Sequence, residues 1–176
     1  MEYAGFWKRF GAFLIDFIVV TPLMVIGYYG SEYSRLFYLY WLLPGTVIGL
    51  WFSVYLVARY GGTPGKLLLK TKIVMADGSP ITPKAAVIRH SVLFLLGLAT
   101  SIAFCLGSLS MTDSQYFSMS FSERSQALPA VAPSWYAPAE LLMQFWVWSE
   151  FVVMLFNKQR RAIHDYMAGT VVVKTQ

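Results

Sequence analysis

With 176 residues, 57% of them hydrophobic and 13% charged, the chain has about half the charge of an average soluble domain, which runs near 25%. That deficit excludes an ordinary water-soluble globule: a bilayer crossing takes about 20 apolar residues, so this length accommodates four crossings, short loops and no separate soluble domain. The net charge of +5 then reports sidedness rather than nucleic-acid binding, because basic residues in short loops are retained in the cytoplasm.

The chain opens with Lys8 and Arg9 ahead of an apolar run over 10–29. This run carries Asp16 and no small-residue cleavage site follows it, so it is expected to be a retained first span rather than a leader. Gly30, Ser31 and Glu32 are expected to turn the chain into a second span over 36–58, and so short a link implies an antiparallel pair. Gly61, Gly62, Thr63, Pro64 and Gly65 then break the helix and open a basic loop over 59–84, with Lys66, Lys70, Lys72 and Lys84. Within that loop, Leu67 to Met75 runs into Asp77-Gly78, a tight-turn dipeptide, which predicts a short strand or hairpin.

Thr82-Pro83 has the form of an N-cap followed by proline at the first helical position, and it starts a third span over 85–107. Segment 108–137, punctuated by Pro129 and Pro133, is expected to be an irregular external loop. The fourth span covers 138–156. In the tail, 157–176, a basic cluster of Lys158, Arg160 and Arg161 precedes His164-Asp165, Gly169 and the β-branched run Thr170 to Val173. That run is expected to pair with the segment around Lys72 to Met75.

The positive residues divide twelve to two: Lys8, Arg9, Arg59, Lys66, Lys70, Lys72, Lys84, Arg89, Lys158, Arg160, Arg161 and Lys174 against Arg35 and Arg124. The fold class is therefore all-α membrane: a four-helix transmembrane bundle with both ends in the cytoplasm, and a short cytoplasmic β element built from the second loop and the C-terminal tail.

The charges inside the spans carry the functional expectation. Asp16 lies seven residues beyond Arg9, which returns it to within about 20° of the same helix face and about 10 Å deeper. Glu150, seven residues before Asn157, and Arg89, six beyond Pro83, fall at a similar depth, with Arg9, Arg59 and His90 nearer the mouth. An intramembrane carboxylate costs roughly 2.5–3.5 kcal/mol on insertion scales, so it faces the bundle interior, a partner or water. Two uses follow: the charges pair and hold the helices in register, or a carboxylate exchanges a proton for a cation.

Other features carry less chemistry. Gly45 and Gly49, and the stripe Ala99, Ala103 and Gly107, suit close helix packing. Cys105 is the lone cysteine, so neither an internal disulfide nor a thiolate metal site is expected. His164-Asp165 suits a capping or tautomer-fixing role better than a metal site. Phosphate-loop, metallohydrolase and nucleophile-elbow motifs are lacking, so neither enzymatic activity nor a cofactor is expected.

Taken together, Ala4-Gly5-Phe6-Trp7-Lys8-Arg9 through Asp16, then Gly62-Thr63-Pro64-Gly65-Lys66, Asp77-Gly78, Arg89, and Arg161-Ala162-Ile163-His164-Asp165-Tyr166 with Gly169-Thr170 resemble the RDD family. That family is named for one arginine and two aspartates, which Arg9, Asp16 and Asp165 match here. The resemblance implies a bacterial-type plasma membrane protein, with some members linked to sodium-proton exchange. Asp16 and Glu150 are the ion- or proton-binding candidates, with Asp16 expected to be the carrier carboxylate and Arg9 to tune its pKa, and Arg9, Arg89, Arg59, Asp165 and His164 are the charge-network and gating candidates. The expected partners are the lipid bilayer, sodium or a proton as substrate, and a second copy in a homodimer. The alternative is a membrane scaffold or assembly factor whose buried charges are structural. Glu150 is not a name-giving residue, and the length of the external loop departs from the family pattern.

Overall fold

The computed structural model of the protein describes residues 1–175; Gln176, the end of the expected tail, lies outside them. Four of its helices are long and apolar enough to cross a membrane. The first, α1 (Phe6–Tyr33), extends beyond the expected 10–29 at both ends. At 28 residues it is about 42 Å long and overshoots a hydrocarbon core of about 30 Å. Gly30, Ser31 and Glu32 stay helical, the Ser31 hydroxyl bonding the Tyr28 carbonyl at 2.8 Å. The turn falls instead at Ser34, whose side chain accepts the Leu36 amide at 3.2 Å.

The second crossing is built in three pieces: α2 (Phe37–Leu50), a π-helical turn over Trp51–Tyr55, and α3 (Leu56–Tyr60). It ends at Gly61, whose φ of +82° suits glycine, and whose amide bonds the Val57 carbonyl at 2.9 Å. The Gly-Thr-Pro-Gly segment is more than a breaker. Pro64, at the first helical position, starts the short helix α4 (Pro64–Leu68), which packs back against α1. The crossing is so close that a Cβ at Gly65 would overlap the Ala12 carbonyl.

After α4, β1 (Thr71–Met75) pairs antiparallel with β2 (Thr170–Lys174), from Thr71 opposite Lys174 to Met75 opposite Thr170. This is the expected docking of the tail. Tyr3 bridges Val173 on the free edge of β2, and Pro80 bridges Val74 on β1, so both edges of the ribbon are covered. Both chain ends and the second loop therefore share one end of the bundle, where Ala4, Ile73, Ala86 and Val172 form a buried core.

The third crossing, α5 (Pro83–Ser110), is capped as expected by the Thr82 hydroxyl, which accepts the Ala85 amide at 3.2 Å. Segment 108–137 departs from the irregular loop predicted for it, since it folds into α6 (Asp113–Phe117) and α7 (Phe121–Val131). Each starts in a capping box, Thr112 with Gln115 and Ser120 with Glu123, in which side chain and backbone satisfy each other's orphan donors. Pro129 sits inside α7 without ending it. Tyr116 is fully buried beneath these helices and donates to the Ser31 carbonyl at 3.0 Å.

Arg35 pairs with Asp113 and Arg124 with Glu32. The two basic residues at this end are thus neutralised, and the excess positive charge lies at the end bearing the β ribbon, the end assigned to the cytoplasm. The chain closes with α8 (Tyr136–Val153), a single 3-10 turn over Met154–Phe156, and α9 (Ile163–Ala168) before β2. Around the bundle, Ile18, Leu43 and Phe145 are 68%, 73% and 70% exposed, surface that a hydrocarbon environment solvates.

The α1 to α4 contact gives a paired test. Gly65→Ala is expected to lower stability by about 1–3 kcal/mol, the usual cost of overpacking. Gly49→Ala, whose Cβ would meet nothing within 4 Å, is expected to leave it unchanged. Thermal unfolding of the two variants in the same detergent checks the pair.

Candidate functional site

At the basic end, a buried charged centre is built on one carboxylate. Asp165, in the first turn of α9, has no solvent exposure. Its Oδ2 accepts from Arg9 Nη1 at 2.8 Å and from the Ala162 amide at 2.9 Å. Its Oδ1 accepts from Arg89 and from the Thr170 hydroxyl, the latter at 3.1 Å. Arg9 comes from α1 and Arg89 from α5, so a single side chain joins two spans to the tail. Arg9 continues to the Arg160 carbonyl at 2.5 Å, and Arg161 donates to the Thr170 carbonyl at 3.0 Å. Burial on its own would raise the Asp165 pKa, but Arg89, His164, Arg9 and the Ala162 amide together hold it well below the usual carboxylate range.

Asp16 has a different set of partners. Arg9, expected from the helix face to act on Asp16, turns instead to Asp165. Asp16 accepts the Thr63 hydroxyl at 2.5 Å and the Gly65 amide at 2.7 Å, so it caps the N-terminus of α4. At the other end of the same short helix, Lys8 donates to the Leu69 carbonyl at 3.2 Å. A carboxylate at the N-terminus and an ammonium at the C-terminus both match the helix dipole. Their eight-residue separation on α1 spans about 12 Å, enough to bracket five residues of helix.

Glu150, from α8, bonds His164 Nδ1 at 2.9 Å through Oε1. The other ring nitrogen of His164 is buried without a hydrogen-bond partner among the described residues. Asp16, Glu150, Arg89 and His164 line one cavity of about 400 Å³, to which all four crossings contribute, and Thr63 and Lys66 line it as well. Arg59 lies apart: it is exposed and sits at the rim of an apolar groove between the second and third crossings. His90 lines the cavity and also borders the groove of Arg59.

Two participants were not singled out as site residues from the sequence. Lys66, read only as part of a basic loop, is carried to the cavity by the fold-back of α4. The π-helical turn sets Phe52 and Ser53 on the cavity wall, and single π turns within α-helices frequently accompany functional sites. The proline and glycines of the Gly-Thr-Pro-Gly segment were the available signal for α4. No comparable signal marks the π turn. Among the described residues, no group of three His, Cys, Asp or Glu side chains could hold a metal ion.

Asp165→Asn removes the charge that two buried arginines require, and breaking such a pair costs about 3–5 kcal/mol. The variant is expected to lose amide protection over Val171–Val173. In the parent protein the pH response has a definite sign: a carboxylate with a depressed folded-state pKa contributes stability above its unfolded value of about 4 and loses it only as pH falls through the lower folded value. Protection of β2, corrected for intrinsic exchange, is therefore expected to stay constant between pH 8 and pH 5, as hydrogen exchange at both values would establish.

The model of the RDD family matches residues 3–169, which include Arg9, Asp16 and Asp165. The uncharacterized protein YckC of Bacillus subtilis (strain 168) is 31% identical over 115 residues, covering 59% of this chain and 66% of that protein, just under two thirds of its length. No solved structure matches. A match over nearly the whole chain places this membrane protein in the RDD family.

Proposed function

We propose that the protein exchanges a monovalent cation, sodium in the first instance, for protons across the bacterial cytoplasmic membrane, with Glu150 as the exchanging carboxylate. Its main support is the position of Glu150: paired through one oxygen to His164, it faces a cavity bounded by all four crossings. The other acids are more fully engaged. Asp165 is saturated by four donors, and Asp16 accepts two as a helix cap.

The chemistry is competition for one site. A carboxylate carries either a proton or a cation, and binding one releases the other. His164 returns a proton to Glu150, or receives one from it, through the Nδ1 contact, and Lys66 supplies positive charge to the same cavity when the cation has left. Residues of all four crossings of one protomer contribute to the cavity wall. The scaffold alternative has less support, because an added strand would need a free ribbon edge and both edges are covered.

Reconstituted in liposomes containing a pH dye, the parent protein is expected to raise internal pH when sodium is added outside. Glu150→Gln is expected to abolish that response while β2 keeps its amide protection, and Arg59→Gln is expected to retain it. An undiminished sodium response in folded Glu150→Gln would remove this assignment.

A further inference from the structure

A second cavity, of about 640 Å³, lies in the half of the bundle away from the β ribbon. The second, third and fourth crossings line it mostly with apolar side chains such as Leu42 and Phe104, into which Thr46, Thr100, Ser101 and Glu140 bring polar groups. Gly49 and Gly97 open it further, since a Cβ at either would meet nothing within 4 Å. The GxxxG pattern on the second crossing thus borders open space rather than a tight helix contact. Glu140 and Tyr136 stand where α8 begins, at the end of the bundle opposite the ribbon.

The two cavities share His90 and Leu93 in their walls. His90 makes no hydrogen bond among the described residues, although it sits seven residues into α5 and is half-buried. An ionisable side chain at membrane depth ordinarily has a partner or a pathway. His90 also borders the apolar groove that holds Tyr55 and Arg59, and the two cavities offer further titratable groups toward this wall: Glu140, Tyr38 and Tyr136 on one side, and Asp16, Lys66, Arg89, Glu150 and His164 on the other.

We propose that the 640 Å³ cavity is an aqueous vestibule from the external face, and that His90 with Leu93 is the partition separating it from the cytoplasmic charged cavity. This rests on the exchange function for its purpose, since it supplies the external proton access that exchange requires, but it makes a claim about water access that stands or falls separately. Leu93 blocks passage, while His90 accepts a proton from vestibule water at one ring nitrogen and, as the imidazolium, releases one toward Glu150 and His164.

Thiol accessibility tests the partition without relying on flux. In a Cys105→Ser background, Gly97→Cys reports on the vestibule and Ser53→Cys on the inner cavity. A membrane-impermeant cationic methanethiosulfonate added outside intact cells is expected to modify Gly97→Cys and to spare Ser53→Cys. Inside-out vesicles are expected to give the reverse. Adding His90→Ala, or Leu93→Ala should that variant not fold, is expected to admit the external reagent to Ser53→Cys. Protection of Gly97→Cys from outside, external labelling of Ser53→Cys with the partition intact, or its continued protection once the partition is cut back would each overturn the proposal. Absent sodium flux combined with this labelling pattern would instead overturn the exchange function alone.

Discussion

The Asp165 carboxylate is the interaction on which the rest of the structure depends. It is fully buried, and a buried charge survives only with opposite charge and hydrogen bonds around it. Arg9 and Arg89 supply the charge, while Ala162 and Thr170 complete the shell. These donors belong to the first crossing, the third crossing and the tail. Satisfying one carboxylate therefore sets the relative positions of elements more than 150 residues apart in the chain, 9 and 165 being the extreme pair. In a membrane, where apolar contact between helices competes with equally apolar lipid, polar contacts of this kind gain in importance as determinants of packing.

A second fastening, between α1 and α4, shapes the cavity. Asp16 and Lys8 hold the two ends of α4, and the missing side chain of Gly65 lets the helices touch. The consequence reaches the chemistry, because the fold-back that closes the bundle also delivers Thr63 and Lys66 to the cavity wall. Asp16 thus serves structure first. Glu150, from the opposite side of the cavity, is left as the less committed acid, with its side chain 36% exposed. Three acids, Asp16, Glu150 and Asp165, are balanced by three bases, Arg9, Arg89 and Lys66, which limits the Born penalty of burying them.

The two ends of the bundle solve different problems. At the ribbon end, Tyr3 and Pro80 close the edges of a two-stranded sheet that would be marginal alone, and the Asp165 shell anchors its second strand. At the opposite end, α6 and α7 cover the bundle through buried Tyr116 and the Arg124–Glu32 pair. Arg124 also stacks over the Tyr116 ring at 4.8 Å, so its charge is spent on holding that cover in place. The sidedness of the exposed positive charge is sharper than the twelve-to-two count of basic residues suggests.

Composition and hydropathy by themselves determined the four crossings, and the distribution of lysine and arginine determined which end of them is basic, because both follow from transfer free energies that are local to each segment. Thr82-Pro83 and the β-branched run Thr170 to Val173 also declared their roles, since capping and strand preference act over a few residues. The prolines and polarity of segment 108–137 pointed to an irregular loop, whereas the folded chain starts a helix there in each of two capping boxes. Pairing within the charged centre could only be decided in three dimensions. Helix periodicity placed Arg9 and Asp16 on one face of α1, but an arginine reaches several angströms in any direction. Arg9 was captured by Asp165 and Asp16 by α4, because burial makes each carboxylate take the donors that the packed neighbours bring within reach.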